Sequence, residues 1–457
     1  MTDFIRNIRP LPSGEIKFSL PEIQKFSLVN GLQVLFIEKK NLPIIQINLI
    51  FNAGSKFDPE GKRGLANLLS MCIDEGAGKY DSLQLSDEFD MLGTHFNVNT
   101  TEDNIYFMLQ TLTENFHRSV ELLADVLTSP HFSQNEFERE KRKIIIRILQ
   151  LKDEPEEIAD MVFDNLVFGK ENPYAFPIIG YEKDLNEISV DDVKNYYKEL
   201  IIPNNGALII VGDTTKFEIE NELNSLLNNW KQSKVKNTKH VSNLSEKIKL
   251  FIVDKKDAVQ SEIRIGHISS GRDESDYYSK TILNMILGGQ FTSRINLNLR
   301  ERKGYTYGAN SRFGYFKDSA YFYVSTSVNL ENTANAVKEI FNELNGIRNG
   351  ITNEELEFAK SSLIRKFPST FETNKQIATN LTGIYIHSLQ DDYFNSYLDK
   401  IKAVTLDEVN NTAFKSIHPS KAVVVIVGDK YKLKSQLEDA IGTEMVEVDF
   451  MGNKITS

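Results

Sequence analysis

Apolar residues run or alternate along Gln33–Glu38 and Ile44–Phe51, and again along Leu250–Val253 and Glu262–His267, with Ile, Val and Phe prominent. Such short, β-branched runs predict strands. Between Gly61 and Glu75 the pattern changes: Leu65, Leu68, Leu69, Cys72 and Ile73 recur at helical spacing, and His117–Leu127 and Asn332–Leu344 repeat that period. Strands gathered into a sheet with helices packed on one side describe an α+β layer fold.

The pattern is made twice. Ile188–Asp213 reads ISVDDVKNYYKELIIPNNGALIIVGD and Val404–Asp429 reads VTLDEVNNTAFKSIHPSKAVVVIVGD, at a constant offset of 404 − 188 = 216. Each copy opens a helix at Ser189 or Thr405 as the predicted N-cap, breaks near Pro203 or Pro419, and ends in a continuous apolar run typical of a strand buried on both faces. A second echo pairs Asn135-Glu136 with Asn353-Glu354 at an offset of 353 − 135 = 218. The expected fold is therefore α+β, with two homologous halves, each a mostly antiparallel sheet with helices on one side. The boundaries read as 1–228, a linker at 229–249, and 250–457. The linker region carries Lys231, Lys234, Lys236, Lys239, Lys247 and Lys249 among few apolar residues. It reads as a solvated connector, with an anion-docking strip as the alternative.

With 457 residues, two or more cores are expected. The net charge of -11 disfavours a nucleic-acid binder, which ordinarily presents a basic face. The first residues, Met-Thr-Asp-Phe-Ile-Arg-Asn-Ile-Arg, show no apolar segment of signal-peptide length, and no run elsewhere is long enough to span a bilayer. A cytoplasmic protein with no membrane contact is expected, with a periplasmic location left open. The single cysteine, Cys72, reads as a core thiol.

The histidines are His95, His117, His131, His240, His267, His387 and His418, and no two share one or two turns of a helix as zinc ligands would. The stretch FNAGSKFDPEGKRGLANLLSMCIDEGAGKY, residues 51–80, nevertheless resembles the segment of pitrilysin/insulinase-type zinc peptidases that carries the inverted motif H-x-x-E-H. Aligning Gly64-Leu65-Ala66 puts Asn67 and Met71 in the places of the two His ligands and Ser70 in that of the catalytic Glu. These positions share a helix face, but Asn and Met are poor zinc ligands, and Ser cannot act as general base for metal-bound water. The third ligand, a Glu on a later helix, falls on Arg147 or Ile148. No metal is expected in this chain.

Residues 287–313, LGGQFTSRINLNLRERKGYTYGANSRF, resemble the C-terminal signature of the same family. The family's substrate-binding Arg and Tyr fall on Arg300 and Tyr307, the latter expected on a strand. A guanidinium and a phenol can both donate to a peptide carbonyl or to the oxyanion formed when it is attacked. Thr94–Asn99 resembles the edge strand to which substrates add, which singles out Phe96, Asn97 and Val98. The resemblance implies the processing-peptidase-like branch, in which a non-catalytic subunit binds unfolded peptide substrate while a homologous partner with an intact H-x-x-E-H supplies zinc and base. A homodimer in isolation fits as well. The alternative is a non-proteolytic binding or scaffold protein, like the core subunits of the respiratory cytochrome complex.

Overall fold

The computed structural model describes residues 14–235, 245–272 and 275–455. Lys236, Lys239 and His240 of the lysine-rich connector, and the opening nine residues read above, lie outside them. Each half forms a six-stranded sheet. The first contains β1 (Gln24–Ser27), β2 (Gln33–Glu38), β3 (Ile44–Phe51), β4 (His95–Thr100), β5 (Ile105–Leu112) and β6 (Gly206–Gly212), in the order β1-β2-β6-β3-β5-β4. The second contains β7 (Lys249–Asp254), β8 (Gln260–Ser269), β9 (Ala309–Tyr315), β10 (Ala320–Asn329), β11 (Val423–Gly428) and β12 (Met445–Glu447), in the order β12-β7-β11-β8-β10-β9.

The two IVGD runs become the buried strands β6 and β11, each parallel to the first long strand of its half (β2 or β7) and antiparallel to the next. Most other pairs are antiparallel, so the sheets are mostly antiparallel as expected. The halves differ at one edge, where antiparallel β1 has parallel β12 as its counterpart. Ser189 and Thr405 cap their helices as capping boxes: each hydroxyl accepts from the backbone three residues on, at 3.3 and 3.2 Å.

One face of each sheet is covered by helices of its own half. The opposite faces are covered by exchange. The helix Pro155–Phe168 of the first half lays Ile158, Val162 and Phe163 on Phe251, Tyr321, Tyr323 and Val425 of the second sheet. The helix Asn374–Ile386 of the second half lays Ile377, Leu381 and Ile384 on Leu35, Ile37, Ile50 and Ile209 of the first. At about 1.5–3 kcal/mol per fully buried aliphatic or aromatic side chain, this reciprocal packing binds the halves into one cooperative body. Among the described residues no helix is long and apolar enough to cross a membrane.

Candidate functional site

The degenerate motif lies on the helix Leu65–Cys72, and its scaffold is intact. Asp58 reaches over from the preceding loop, its carboxylate accepting from Gly64 N–H at 2.8 Å and Ala66 N–H at 2.9 Å, which satisfies amides that the helix start leaves open. Burial lifts this carboxyl to about 7 despite those bonds. Gly64 has φ +100°, and a Cβ there would stand 2.8 Å from the Ile179 carbonyl, so the turn into the helix requires glycine.

The residues carried on this scaffold do not fit zinc. The Ser70 hydroxyl donates back to the Asn67 carbonyl at 2.8 Å, and Met71 packs on the first-half core. On the helix Gln134–Leu151, Ile148 is buried among apolar neighbours and Arg147 forks onto Glu154 at 2.6 and 3.0 Å. Among the described residues no three His, Cys, Asp or Glu side chains converge as a metal-ligand set. Two histidines distant in sequence do meet, with ring centroids of His267 and His418 5.1 Å apart. Both nitrogens of His267 are already engaged: Nδ1 donates to the Ile268 carbonyl at 2.9 Å and Nε2 accepts from the His418 backbone at 3.0 Å. Burial pushes His267 down to about 4, which keeps it neutral.

Just beyond the motif helix, Asp74, Glu75, Asp90 and Arg139 line a cleft floored by Phe89 and Phe96. Glu75 overcomes its burial through Ser82 and Arg139 and stays below the usual carboxylate range. Among the described residues Asp74 has no such side-chain partner, and burial, reinforced by Glu75 and Glu140, lifts it from 3.8 to about 7. The native chain therefore holds a proton here that the unfolded chain releases, so this contribution to stability falls as pH rises from about 4 to about 7 and stays lost above. Asp74→Asn is expected to raise the melting temperature at pH 8 by about 2 °C and to change it little at pH 4, as read by thermal melts at the two pH values.

Beside the helix runs β4, tied to it by Thr100 Oγ1 donating to the Ala66 carbonyl at 3.2 Å. It is an edge strand hydrogen-bonded only to β5, with His95, Asn97 and Asn99 outward and Phe96 and Val98 half-buried. Phe96 stacks on Phe89 at 4.9 Å.

Arg300 and Tyr307 belong to the other half. After one helical turn at Arg294–Asn296 the chain widens into a π-helical turn, Leu297–Arg302, a distortion that recurs at functional sites, and Arg300 stands on it. Its guanidinium lies over the Phe291 ring at 4.7 Å and meets Glu301 only loosely, at 3.4 Å. Tyr307 is not on a strand: it occupies the loop two residues before β9 and is 92% exposed. The loop itself is pinned, with Gly308 N–H donating to Thr306 Oγ1 at 3.0 Å and Thr326 Oγ1 of β10 within 3.0 Å of both Thr306 Oγ1 and the Gly308 carbonyl. Gly288 lets the preceding segment touch β9, since a Cβ there would stand 2.5 Å from the Ser311 amide.

Two residues that the motif reading passed over belong to this arrangement. The buried Asn296 amide donates to the Phe291 carbonyl at 2.6 Å and accepts from Ala309 N–H at 3.1 Å. A Phe between a glycine pair and a basic helix is the one signal the sequence offers for Phe291, and it offers none for Asn296. Among the described residues, no hydrogen bond, ion pair or ring contact joins the Arg300/Tyr307 group to the motif helix or to β4.

Two α+β halves that exchange helices, the first with a helix in the place of the inverted zinc motif and the second with an exposed Arg/Tyr pair, describe a zinc-peptidase-like fold. Residues 33–173 match the family model "Insulinase (Peptidase family M16)" and residues 187–363 match "Peptidase M16 inactive domain". The chain belongs to the M16 peptidase family. An uncharacterized zinc protease of Rickettsia bellii is 25% identical over 87% of this chain and 96% of its own. From Helicobacter pylori, a "Non-peptidase homolog YmxG" is 24% identical, covering 88% of this chain and 93% of its own, and a "Zinc protease PqqE" is 24% identical, covering 87% and 91%. Among solved structures, an M16 inactive domain from Pseudomonas fluorescens superposes with TM-score 0.83 at 24% identity, covering 89% of this chain and 98% of its own. A protease from Helicobacter pylori gives 0.84 at 20% identity, covering 90% and 100%. Both structures establish the fold.

Proposed function

We propose that this chain is the non-catalytic, substrate-binding member of a two-chain zinc peptidase acting on unfolded peptides. A homologous partner with an intact H-x-x-E-H supplies zinc and general base, and Arg300 and Tyr307 of this chain face the peptide there. The observation that carries this reading is the contrast between the two halves. On the motif helix Ser70 turns back onto its own backbone and Met71 packs on the core, whereas Tyr307, on a pinned loop, presents a hydroxyl with no protein partner among the described residues. A polar group that a fixed loop presents to solvent suits a ligand that arrives from outside. The open edge of β4 offers main-chain donors and acceptors to an extended peptide. The presence of both a non-peptidase homologue and a zinc protease in Helicobacter pylori, each similar to this chain, fits such a division of labour.

The isolated chain is expected to bind no stoichiometric zinc and to leave a fluorogenic unfolded peptide intact. Mixed with the H-x-x-E-H homologue of its own genome, it is expected to yield chelator-sensitive hydrolysis well above that of the homologue alone. Stoichiometric zinc and chelator-sensitive hydrolysis in the isolated chain would overturn the proposal.

A further inference from the structure

We infer that Phe291 and Asn296 are positioning residues for the Arg300/Tyr307 pair: the Phe291 ring is the platform that aims the Arg300 guanidinium, and the Asn296 amide fixes that platform relative to the Tyr307 loop. The inference rests on the peptide-binding reading of the pair and adds to it the means by which the Arg300 guanidinium is aimed and its platform tied to the loop that carries Tyr307.

Among the described residues no carboxylate grips Arg300 closely: its ion-pair neighbour there is Glu301, at 3.4 Å between half-exposed side chains. Such a contact in water fixes little. A long side chain left to itself samples many rotamers, and aiming it at a transition state would then cost the entropy of ordering it. The Phe291 ring, 4.7 Å from the guanidinium carbon, supplies a face against which the planar group lies while its N–H edge stays free to donate. Phe291 is 56% exposed, so the ring and the guanidinium lying on it both stand at the surface, where a ligand can reach them.

The ring is useful only if its own backbone is fixed, and Asn296 provides this. Its side chain is 4% exposed, and the amide bridges two chain segments that secondary structure does not join: the Phe291 carbonyl before the helix and the Ala309 N–H at the start of β9. Ala309 is two residues beyond Tyr307, and Thr306 and Thr326 hold the near side of the same loop. A carboxamide suits this position because it donates and accepts from one planar group, whereas a carboxylate could serve only the Ala309 side.

The test uses the chain mixed with its H-x-x-E-H homologue and a fluorogenic unfolded peptide. Phe291→Leu, which keeps apolar bulk on the surface but removes the π face, is expected to lower kcat/KM about five- to tenfold, mainly in kcat. Phe291→Trp is expected to restore it to within about twofold. Asn296→Ala is expected to lower it about ten- to a hundredfold, and Asn296→Asp, which keeps the Ala309 bond, to fall between. In an Arg300→Ala background, Phe291→Leu should have no further effect, because the ring acts through the guanidinium. If Arg300→Ala abolishes activity while Phe291→Leu and Asn296→Ala leave kcat/KM unchanged, or if the Phe291→Leu loss persists without Arg300, the positioning role is overturned and the binding role of Arg300 stands. If Arg300→Ala itself changes nothing, both fall.

Discussion

With the chain mixed with its H-x-x-E-H homologue, as proposed, replacing Arg300 by Ala is expected to lower kcat/KM by about 10²–10³-fold, roughly the loss that follows removal of one preorganised donor from an oxyanion-stabilising site. The loss should appear in kcat more than in KM, because a donor aimed at developing charge strengthens in the transition state. Arg300→Lys should recover only part of it, since an ammonium lacks the planar fork and lies less well on the Phe291 ring. Tyr307→Phe should cost about ten- to a hundredfold by removing one hydroxyl, with no change in folding, because the side chain is almost wholly solvent-exposed. Full activity of the Arg300→Ala complex in steady-state hydrolysis would show that the exposed pair has no part in peptide binding.

Much of this architecture was legible in the sequence because periodicity and repetition are local properties of the chain. The limits Gln33–Glu38 and Ile44–Phe51 of β2 and β3 fall where apolar alternation put them, and the caps at Ser189 and Thr405 form as the residue types required. The helical face carrying Asn67, Ser70 and Met71 was equally readable, since spacing fixes which residues share a face. The exchange of helices was not. The apolar stripe on Pro155–Phe168 says that the helix must be covered, but nothing in it distinguishes the sheet of its own half from the other. Tyr307 was expected on a strand because the resembling family signature places its Tyr on one, yet the hydrogen bonds of Thr306 and Thr326 close a loop just before β9 begins. The role of Asn296 was hidden for a similar reason: an Asn in a short helix signals nothing until the fold brings Ala309 to its acceptor.

Lys56 is the second position where a single change is expected to act strongly, here on stability. Its Nζ, in a side chain 3% exposed, lies 2.7 Å from Asp103 of the β4–β5 turn and 2.9 Å from Asp318 of the β9–β10 turn, so one cation joins the two halves. Asp103 also accepts from Tyr174 Oη at 2.7 Å and from Lys317 N–H at 2.8 Å, leaving no oxygen of its carboxylate idle. Lys56→Met keeps the volume but leaves two carboxylates facing each other out of water, and breaking a buried pair in this way costs about 3–5 kcal/mol. Asp318→Asn should cost less, because the buried Lys56 ammonium keeps its Asp103 partner at 2.7 Å. Urea unfolding gives the check, with Trp230, buried against Phe51, reporting on the first half, and far-UV circular dichroism reporting on both. Both midpoints should fall together, since each sheet still carries a helix from the other half and neither can unfold without uncovering its neighbour. Separate transitions in Lys56→Met would instead show that this one ammonium, rather than the exchanged helices, makes the halves cooperative.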